Sequence, residues 1–196
     1  MDTPDLVPSS EDSETAPRMI ADTRDWLEKA VIGLNLCPFA KAAYVKDQVR
    51  FQVSDARTEE ALIEELTREL ETLAEANPGK IDTTLLIHPH VLQDFADYNQ
   101  FLDLADALVE SLQLDGILQV ASFHPDYQFA DTTPDDITNF SNRSPYPTLH
   151  LLREESIDRA VQAFPEADAI YDTNIRTLQA LGIAGWRKLG IKPLRD

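Results

Sequence analysis

The chain is 196 residues long and carries a formal net charge of −18. This length is typical of one domain, and a hydrophobic fraction of 43% is typical of a globular protein rather than a disordered one. The negative charge argues against general nucleic-acid binding and against anionic membrane surfaces, because both partners are negatively charged themselves. The longest apolar runs are too short to span a bilayer.

The N-terminal stretch over residues 1–17 is acidic and contains serine and proline, which predicts a disordered tail before a single domain over 18–196. The stretch has no basic region and no apolar core, so we expect no signal peptide. Cys37 is the only cysteine, which excludes an internal disulfide and is typical of a reducing compartment. We therefore expect a cytoplasmic protein, and its oligomeric state is left open.

Runs of helical and strand-like apolar spacing alternate along the chain. Thr58 is predicted to cap the second helix, because its hydroxyl accepts an N–H of the first turn. Gly182 is predicted to stop the last helix, which leaves residues 183–191, with Trp186, as a docked tail. The predicted helices cover 18–36, 59–76, 95–114, 156–164 and 166–181, and the predicted strands cover 49–53, 83–88, 117–122 and 148–152.

This order predicts an α/β domain with a four-stranded mixed sheet flanked by helices. Each strand–helix–strand unit should cross right-handed, so the first three strands are expected to be parallel. No helix precedes the strand over 148–152, so that strand is expected to be antiparallel, either at an edge or paired with its predecessor. Arg153, at its end, is expected to pair with surface partners.

All four histidines are predicted to gather at one end of this sheet. His88 and His90 follow the second strand, His124 follows the third, and His150 lies near the start of the fourth. Ligands of open α/β sheets bind beyond the carboxyl ends of the strands. The polar loop over 125–147 would then cover the imidazoles, and a loop of this length is more often functional or disordered than idle.

The loop and the histidines together predict a site. His124 is the strongest candidate for proton transfer, because an imidazole titrates near neutral pH. Arg143 is expected to bind a carboxylate or phosphate of a ligand through both arms of its guanidinium. The predicted catalytic residues are His124, His150 and Arg143, and the predicted substrate-binding residues are Tyr127, Asn139, Asn142, Ser144 and Cys37.

A divalent metal is a further candidate for this site. His88, His90 and His124 would supply an acceptable number of imidazole ligands. No HExxH, CxxC or DxD signature accompanies them, and the aspartates of the loop do not have the spacing of an EF-hand. The alternative is that the histidines serve packing and hydrogen bonding.

The other candidates have structural alternatives as well. Arg143 fits an ion pair that pins the loop to one of its aspartates equally well. Cys37 follows a helix end, where the partial negative charge disfavours a thiolate, so a buried inert thiol is favoured over a nucleophile. Asn139 and Asn142 also fit turns, and Tyr127 also fits an anchor of the loop.

Four longer motifs resemble a known family: LNLCPFA at 34–40, QVASFHPDYQFA at 119–130, NRSPYP at 142–147 and LHLLRE at 149–154. The family is bacterial and is designated only as a domain of unknown function, number 1415. The resemblance covers nearly everything after the acidic tail. It implies a soluble bacterial protein of one domain, and it brings no catalytic assignment.

Two functions are therefore predicted. The first is an enzyme that acts on a small polar or anionic substrate through histidine, arginine and asparagine side chains, with or without a metal. The alternative is a non-catalytic binding or regulatory module that recognises a protein partner. The chain has no P-loop, GxGxxG, GxSxG or protein-kinase motif, which disfavours ATP- or NAD-dependent chemistry by the usual motifs.

Overall fold

The fold alternates helices with the strands of one sheet. A computed structural model of the chain describes residues 10–163 and 169–192, with side chains from residue 15 onward. In chain order the elements are α1 (Ser10–Trp26), a π-helical segment (Leu27–Ile32), α2 (Ala40–Val45), β1 (Val49–Val53), α3 (Glu59–Glu75), β2 (Thr83–Ile87), α4 (Phe95–Ser111), β3 (Leu118–Phe123), a 3₁₀-helix (Ile137–Ser141), β4 (Thr148–Arg153), α5 (Glu154–Ala163) and α6 (Ile170–Lys188). None of the described helices is long and apolar enough to cross a membrane.

The four strands form one mixed sheet in the order β1-β2-β4-β3. β1 pairs in parallel with β2, whereas β4 pairs antiparallel with both β2 and β3. β1, β2 and β3 therefore run in one direction and β4 runs in the other, which confirms the predicted α/β class and the mixed sheet. The pairing of the last strand with its predecessor is confirmed as well.

The alternative that placed this strand at an edge is wrong, because β4 lies inside the sheet. The chain returns from β3 through a loop rather than through a helix, so β4 enters between β2 and β3 and leaves β3 at the edge. Leu149 and Leu151 are fully buried, as expected of an interior strand.

α3 and α4 cover one face of the sheet. The predicted cap is confirmed, since the Thr58 hydroxyl accepts the Ala61 N–H at 3.3 Å and α3 starts at the next residue. The buried side chains of this layer are Leu62, Leu66, Leu70 and Leu73 of α3, Tyr98, Phe101, Ala105 and Val109 of α4, and Leu86, Leu118, Leu149 and Leu151 of the sheet.

α1, the π-helical segment and α6 cover the other face. Their buried side chains are Trp26, Leu27, Ala30, Val31, Leu178 and Trp186, joined by Leu36 and Ile191. Phe51 of β1 and Phe123 of β3 pack against them from the sheet. Because successive residues of a strand point to opposite faces, His150 faces this layer while Leu149 and Leu151 face the other.

The first and last helices differ from their predictions. Residues 10–17 of the predicted tail form the first turns of α1, and residues 1–9 lie outside the described part of the chain. Gly182 has a positive φ of 62°, but its ψ of 172° lies outside the left-handed helical region, and α6 kinks there and continues beyond it. Residues 183–188 are helical and Trp186 is buried in the core layer, so the predicted docked tail is largely helical.

Arg153 is buried, so its predicted surface pairing is wrong. Its guanidinium donates to the carbonyl oxygens of Leu73, Ala76 and Ile81. The last carbonyls of a helix have no partner within that helix, and Arg153 supplies donors at the end of α3. The arginine thereby ties the end of β4 to the helix that covers it.

We predict that Arg153→Met lowers the free energy of unfolding by about 2–3 kcal/mol, because buried carbonyls lose a charged donor. Urea denaturation at pH 7 measures this change. Arg159→Met is the matched control, since its side chain is 62% exposed and its contact with Glu155 is a surface pair, and it should change stability by less than about 0.5 kcal/mol. Equal stability of the two variants would contradict the structural role of Arg153.

Candidate functional site

His88 and His124 meet beyond the ends of β2 and β3. Each follows its strand directly, and each is fully buried. The Tyr98 ring of α4 packs against both, with its centroid 5.6 Å from that of His88 and 5.0 Å from that of His124. The two imidazoles are therefore part of the core under α4.

Both ring nitrogens of His124 are engaged with the backbone. Nε2 lies 3.2 Å from the Leu92 carbonyl oxygen and donates to it, while Nδ1 accepts the Asp126 N–H at 3.0 Å. This pairing requires a neutral imidazole, and it joins the turn after β2 to the loop after β3. A buried ring with two backbone partners is placed for structure, which favours the packing alternative over proton transfer.

His88 is equally buried but has one nitrogen without a partner. Nδ1 lies 3.1 Å from the Val91 carbonyl oxygen, whereas Nε2 has no hydrogen-bond partner among the described residues. The pKa of His88 is lowered to about 4, mainly by burial and to a smaller extent by the neighbouring His124, against a raising effect of the hydrogen bond to Val91. His88 is therefore neutral in the folded protein at neutral pH.

His90 and His150 do not join this pair, so the expected gathering of four histidines is wrong. His90 is exposed in the turn after β2. His150 lies on the opposite face of the sheet, where its Nε2 is 2.6 Å from Thr83 Oγ1 and its ring is 5.8 Å from that of Phe123. Burial lowers the pKa of His150 to about 4. The period-two alternation of β4 places its imidazole away from the other two.

The predicted metal ligands His88, His90 and His124 do not form a ligand set. Over the described part of the chain, no group of three or more histidine, cysteine, aspartate or glutamate side chains is arranged to hold a metal ion. His90 is exposed while the other two rings are enclosed, and both nitrogens of His124 are already paired. The two histidines of the His-x-His pattern are close along the chain, but His88 is buried whereas His90 is exposed in the turn that includes Pro89.

The loop over 125–147 is ordered by its own polar side chains. Asn139 is fully buried, and its Oδ1 accepts the Phe129 N–H at 3.0 Å and the Thr132 hydroxyl at 2.8 Å. Its Nδ2 donates to the Thr133 carbonyl at 2.9 Å. With its amide used inside the loop, Asn139 acts as a brace.

The other predicted substrate-binding residues also have partners within the fold. Asn142 donates from Nδ2 to the Ser122 carbonyl at 3.3 Å, and the buried Ser144 donates to the Tyr146 carbonyl at 2.6 Å. The Tyr127 ring packs 5.0 Å from that of Phe95. Of the five predicted substrate-binding residues, only Asn142 lines the groove described below.

Arg143 pins the loop through two backbone carbonyl oxygens. Nε donates to the Tyr127 carbonyl at 3.1 Å and Nη2 donates to the Pro134 carbonyl at 2.6 Å. The guanidinium lies 4.5 Å from the centroid of the Phe140 ring. Burial lowers the pKa of Arg143, while Asp126 and Asp135 raise it by their charges. The guanidinium is thus committed within the loop.

Cys37 is partly buried behind the π-helical segment. Burial raises the pKa of its thiol, against a smaller lowering by the backbone N–H groups of Phe39 and Ala40. The raised pKa disfavours the thiolate at neutral pH, which favours the inert alternative.

A groove between the 3₁₀-helix and α6 was not predicted from the sequence. It has a volume of about 360 Å³ and opens to solvent. Phe140 of the 3₁₀-helix and Trp186 of α6 pack edge to face, with centroids 5.0 Å apart, and join the same two elements. The lining residues are Phe129, Thr138, Ser141, Asn142, Ile170, Tyr171, Asn174 and Ile175. Only tertiary packing brings the loop and α6 together, so periodicity carries no signal for this groove.

The chain matches a known protein family. The model of a protein family described as protein of unknown function (DUF1415) matches residues 18–188. No curated protein and no solved structure matches the chain.

We predict that the free energy of unfolding decreases as pH falls from about 6.5 to about 4. His88 and His150 have folded pKa values of about 4, below the ordinary 6.5, so in this range the unfolded state binds protons that the folded state does not. Replacing His88 by Phe should make this decrease shallower, while His90→Gln, at an exposed position, should not. Urea denaturation between pH 4 and pH 8 tests this, and an unchanged slope in His88→Phe would contradict it.

For Arg143→Met we predict faster hydrogen–deuterium exchange of the backbone amides over 126–136, because the loop loses two charged donors. The free energy of unfolding should fall by about 1–2 kcal/mol. Arg57→Met, at an exposed loop position, serves as the control. If exchange in the loop were unchanged, Arg143 would not be the clamp of this loop.

Proposed function

The chain belongs to DUF1415, a family of proteins of unknown function, and from this premise we propose that it is a non-catalytic binding protein that holds a small polar ligand in the groove between the 3₁₀-helix and α6. The observation that carries this proposal is the mixed lining of the groove. Small-molecule sites combine apolar walls with a few placed polar groups, and volumes of about 300–1,000 Å³ are typical of them.

The walls of the groove are held in place before any ligand arrives. Asn174 donates to the Leu36 carbonyl at 2.8 Å, which fixes the first turns of α6. On the other side, the Asp136 carboxylate accepts the Thr138 N–H and hydroxyl at 2.8 and 2.7 Å, which caps the 3₁₀-helix. A wall that is already ordered loses little conformational entropy on binding, which supports a binding role.

The composition of the lining favours binding over catalysis. Among the described residues that line the groove there is no histidine, cysteine, carboxylate, lysine or arginine. Enzymatic proton transfer most often uses a histidine or a carboxylate within hydrogen-bond reach of the substrate, and the described lining has Tyr171 alone among titratable side chains. The buried imidazoles of His88 and His124 are paired with backbone or enclosed beneath α4, and neither lines the groove.

We place this binding function in the cytoplasm, with neither nucleic acid nor a membrane as partner. The only cysteine of the chain is a free thiol, which fits a reducing compartment. The net charge of −18 disfavours association with phosphate backbones and with anionic lipid surfaces.

The groove is tested by filling it. A library of small polar fragments is screened by NMR, and binding should shift the side-chain amide signals of Asn142 and Asn174. Ile175→Trp puts an indole into the groove and should weaken binding by about tenfold or more. Ile183→Trp makes the same change at an exposed position of α6 and should leave binding unchanged.

Thermal unfolding of both variants checks that each one folds. Fragments that bind Ile175→Trp as well as the unchanged protein would place the ligand elsewhere and overturn the proposal.

A further inference from the structure

We infer that the ligand of this groove is a small organic cation, a free guanidinium or ammonium compound, an inference that rests on the proposed function. Three features of the groove and its surroundings carry it: the polar atoms of the lining, the two aromatic rings, and the charge of the neighbouring segments.

The two hydroxyls of the lining offer acceptors to a ligand rather than donors. The Thr138 hydroxyl donates its proton to Asp136 Oδ1 at 2.7 Å. The Ser141 hydroxyl lies 3.0 Å from Asn142 Oδ1 and donates to it, with the Thr138 carbonyl oxygen 3.3 Å away. A hydroxyl has one proton and two lone pairs, so both oxygens retain acceptor capacity once the proton is used.

Asn174 adds an acceptor to the same lining. Its Nδ2 donates to the Leu36 carbonyl, and its Oδ1 accepts no hydrogen bond from the described residues. Together with the two hydroxyl oxygens it gives the groove three acceptors. A ligand rich in N–H donors matches this set, and guanidinium and ammonium groups have donors only.

Two aromatic rings line the groove. Phe129 and Tyr171 lie edge to face, with centroids 6.3 Å apart. A cation near the face of such a ring is attracted by its quadrupole. The same chain already makes this contact twice, since the guanidinium of Arg24 lies 4.3 Å from the Phe51 centroid and that of Arg143 lies 4.5 Å from the Phe140 centroid.

The formal side-chain charges of the segments around the groove favour a cation over an anion. The loop over 125–147 contains four aspartates and one arginine, so its formal charge is −3. That arginine is held by carbonyl oxygens of its own loop. Arg176 is exposed and donates to the Thr173 hydroxyl at 3.2 Å, and it does not line the groove. The net charge of −18 adds a long-range attraction for cations.

The experiment compares butylguanidinium with butylurea, which has nearly the same shape and also has N–H donors but is neutral. Both are titrated into the full chain, and the side-chain amide signals of Asn142 and Asn174 are followed by NMR. We expect butylguanidinium to bind about fivefold more tightly than butylurea. Tyr171→Leu, at a residue that is 60% exposed, should remove most of this difference.

A matched pair of charge variants tests the electrostatic part. Asp172→Asn, in the first turn of α6, should weaken butylguanidinium by about twofold and leave butylurea unchanged. Asp103→Asn makes the same change at an exposed position of α4, on the other side of the sheet, and should affect neither compound.

The outcomes separate this inference from the proposed function. Equal binding of the two compounds at the groove, or tighter binding of butylurea, overturns the cation and leaves the binding function standing. Much tighter binding of the peptide acetyl-Gly-Arg-Gly-amide than of butylguanidinium would overturn the free small molecule in favour of a basic protein segment. If no fragment of any charge shifts the groove signals, the proposed function itself fails.

Discussion

Backbone hydrogen bonding beyond the ends of β2 and β3 is the constraint on which the rest of the structure depends. The His88 N–H donates to the Pro147 carbonyl at 3.0 Å, and the His124 N–H donates to the Asn142 carbonyl at 3.2 Å. Both acceptors belong to the last part of the long loop, so the loop must turn back over the sheet before β4 enters between its two neighbours. An unpaired buried N–H would cost about 1–3 kcal/mol, so the return path is closely specified. The same return path brings the 3₁₀-helix into contact with α6, and the groove lies between these two elements.

The side chains of His88 and His124 also supply hydrogen-bond donors to the backbone of the turn after β2. The turn after β2 contains Leu92, whose φ of 56° is unusual for a residue with a branched side chain. The carbonyls of Val91 and Leu92 face the core, and the imidazoles of His88 and His124 donate to them. Neutral imidazoles suit this role because each donates a hydrogen bond while its ring packs against Tyr98, stacked in His88 and tilted in His124. The hydrogen bonds to this turn therefore give both imidazoles a structural reason to be buried.

Much of the fold could be predicted from the sequence, because the spacing of apolar residues along a segment indicates whether it is a helix or a strand and which side of it is buried. The leucines of α3, the cap at Thr58 and the opposite direction of β4 all follow from nearest neighbours along the chain. Roles that depend on partners far along the chain could not be predicted. Arg153 donates to carbonyls about 70–80 positions away, and Asn174 reaches a carbonyl 138 positions away. The groove could not be predicted for the same reason, and neither could the hydrogen bonds of Arg143 within its own loop.

The kink of α6 at Gly182 restricts which residues can occupy this position. The backbone there has a φ of 62° and a ψ of 172°, a region that amino acids of the natural hand rarely adopt. A methyl group added on this glycine would meet no other atom within 4 Å, so empty space is available around it. What disfavours a natural side chain at this position is therefore the backbone conformation rather than the bulk of the side chain. Glycine is achiral and adopts this backbone without strain, so the kink that precedes the buried Trp186 depends on it.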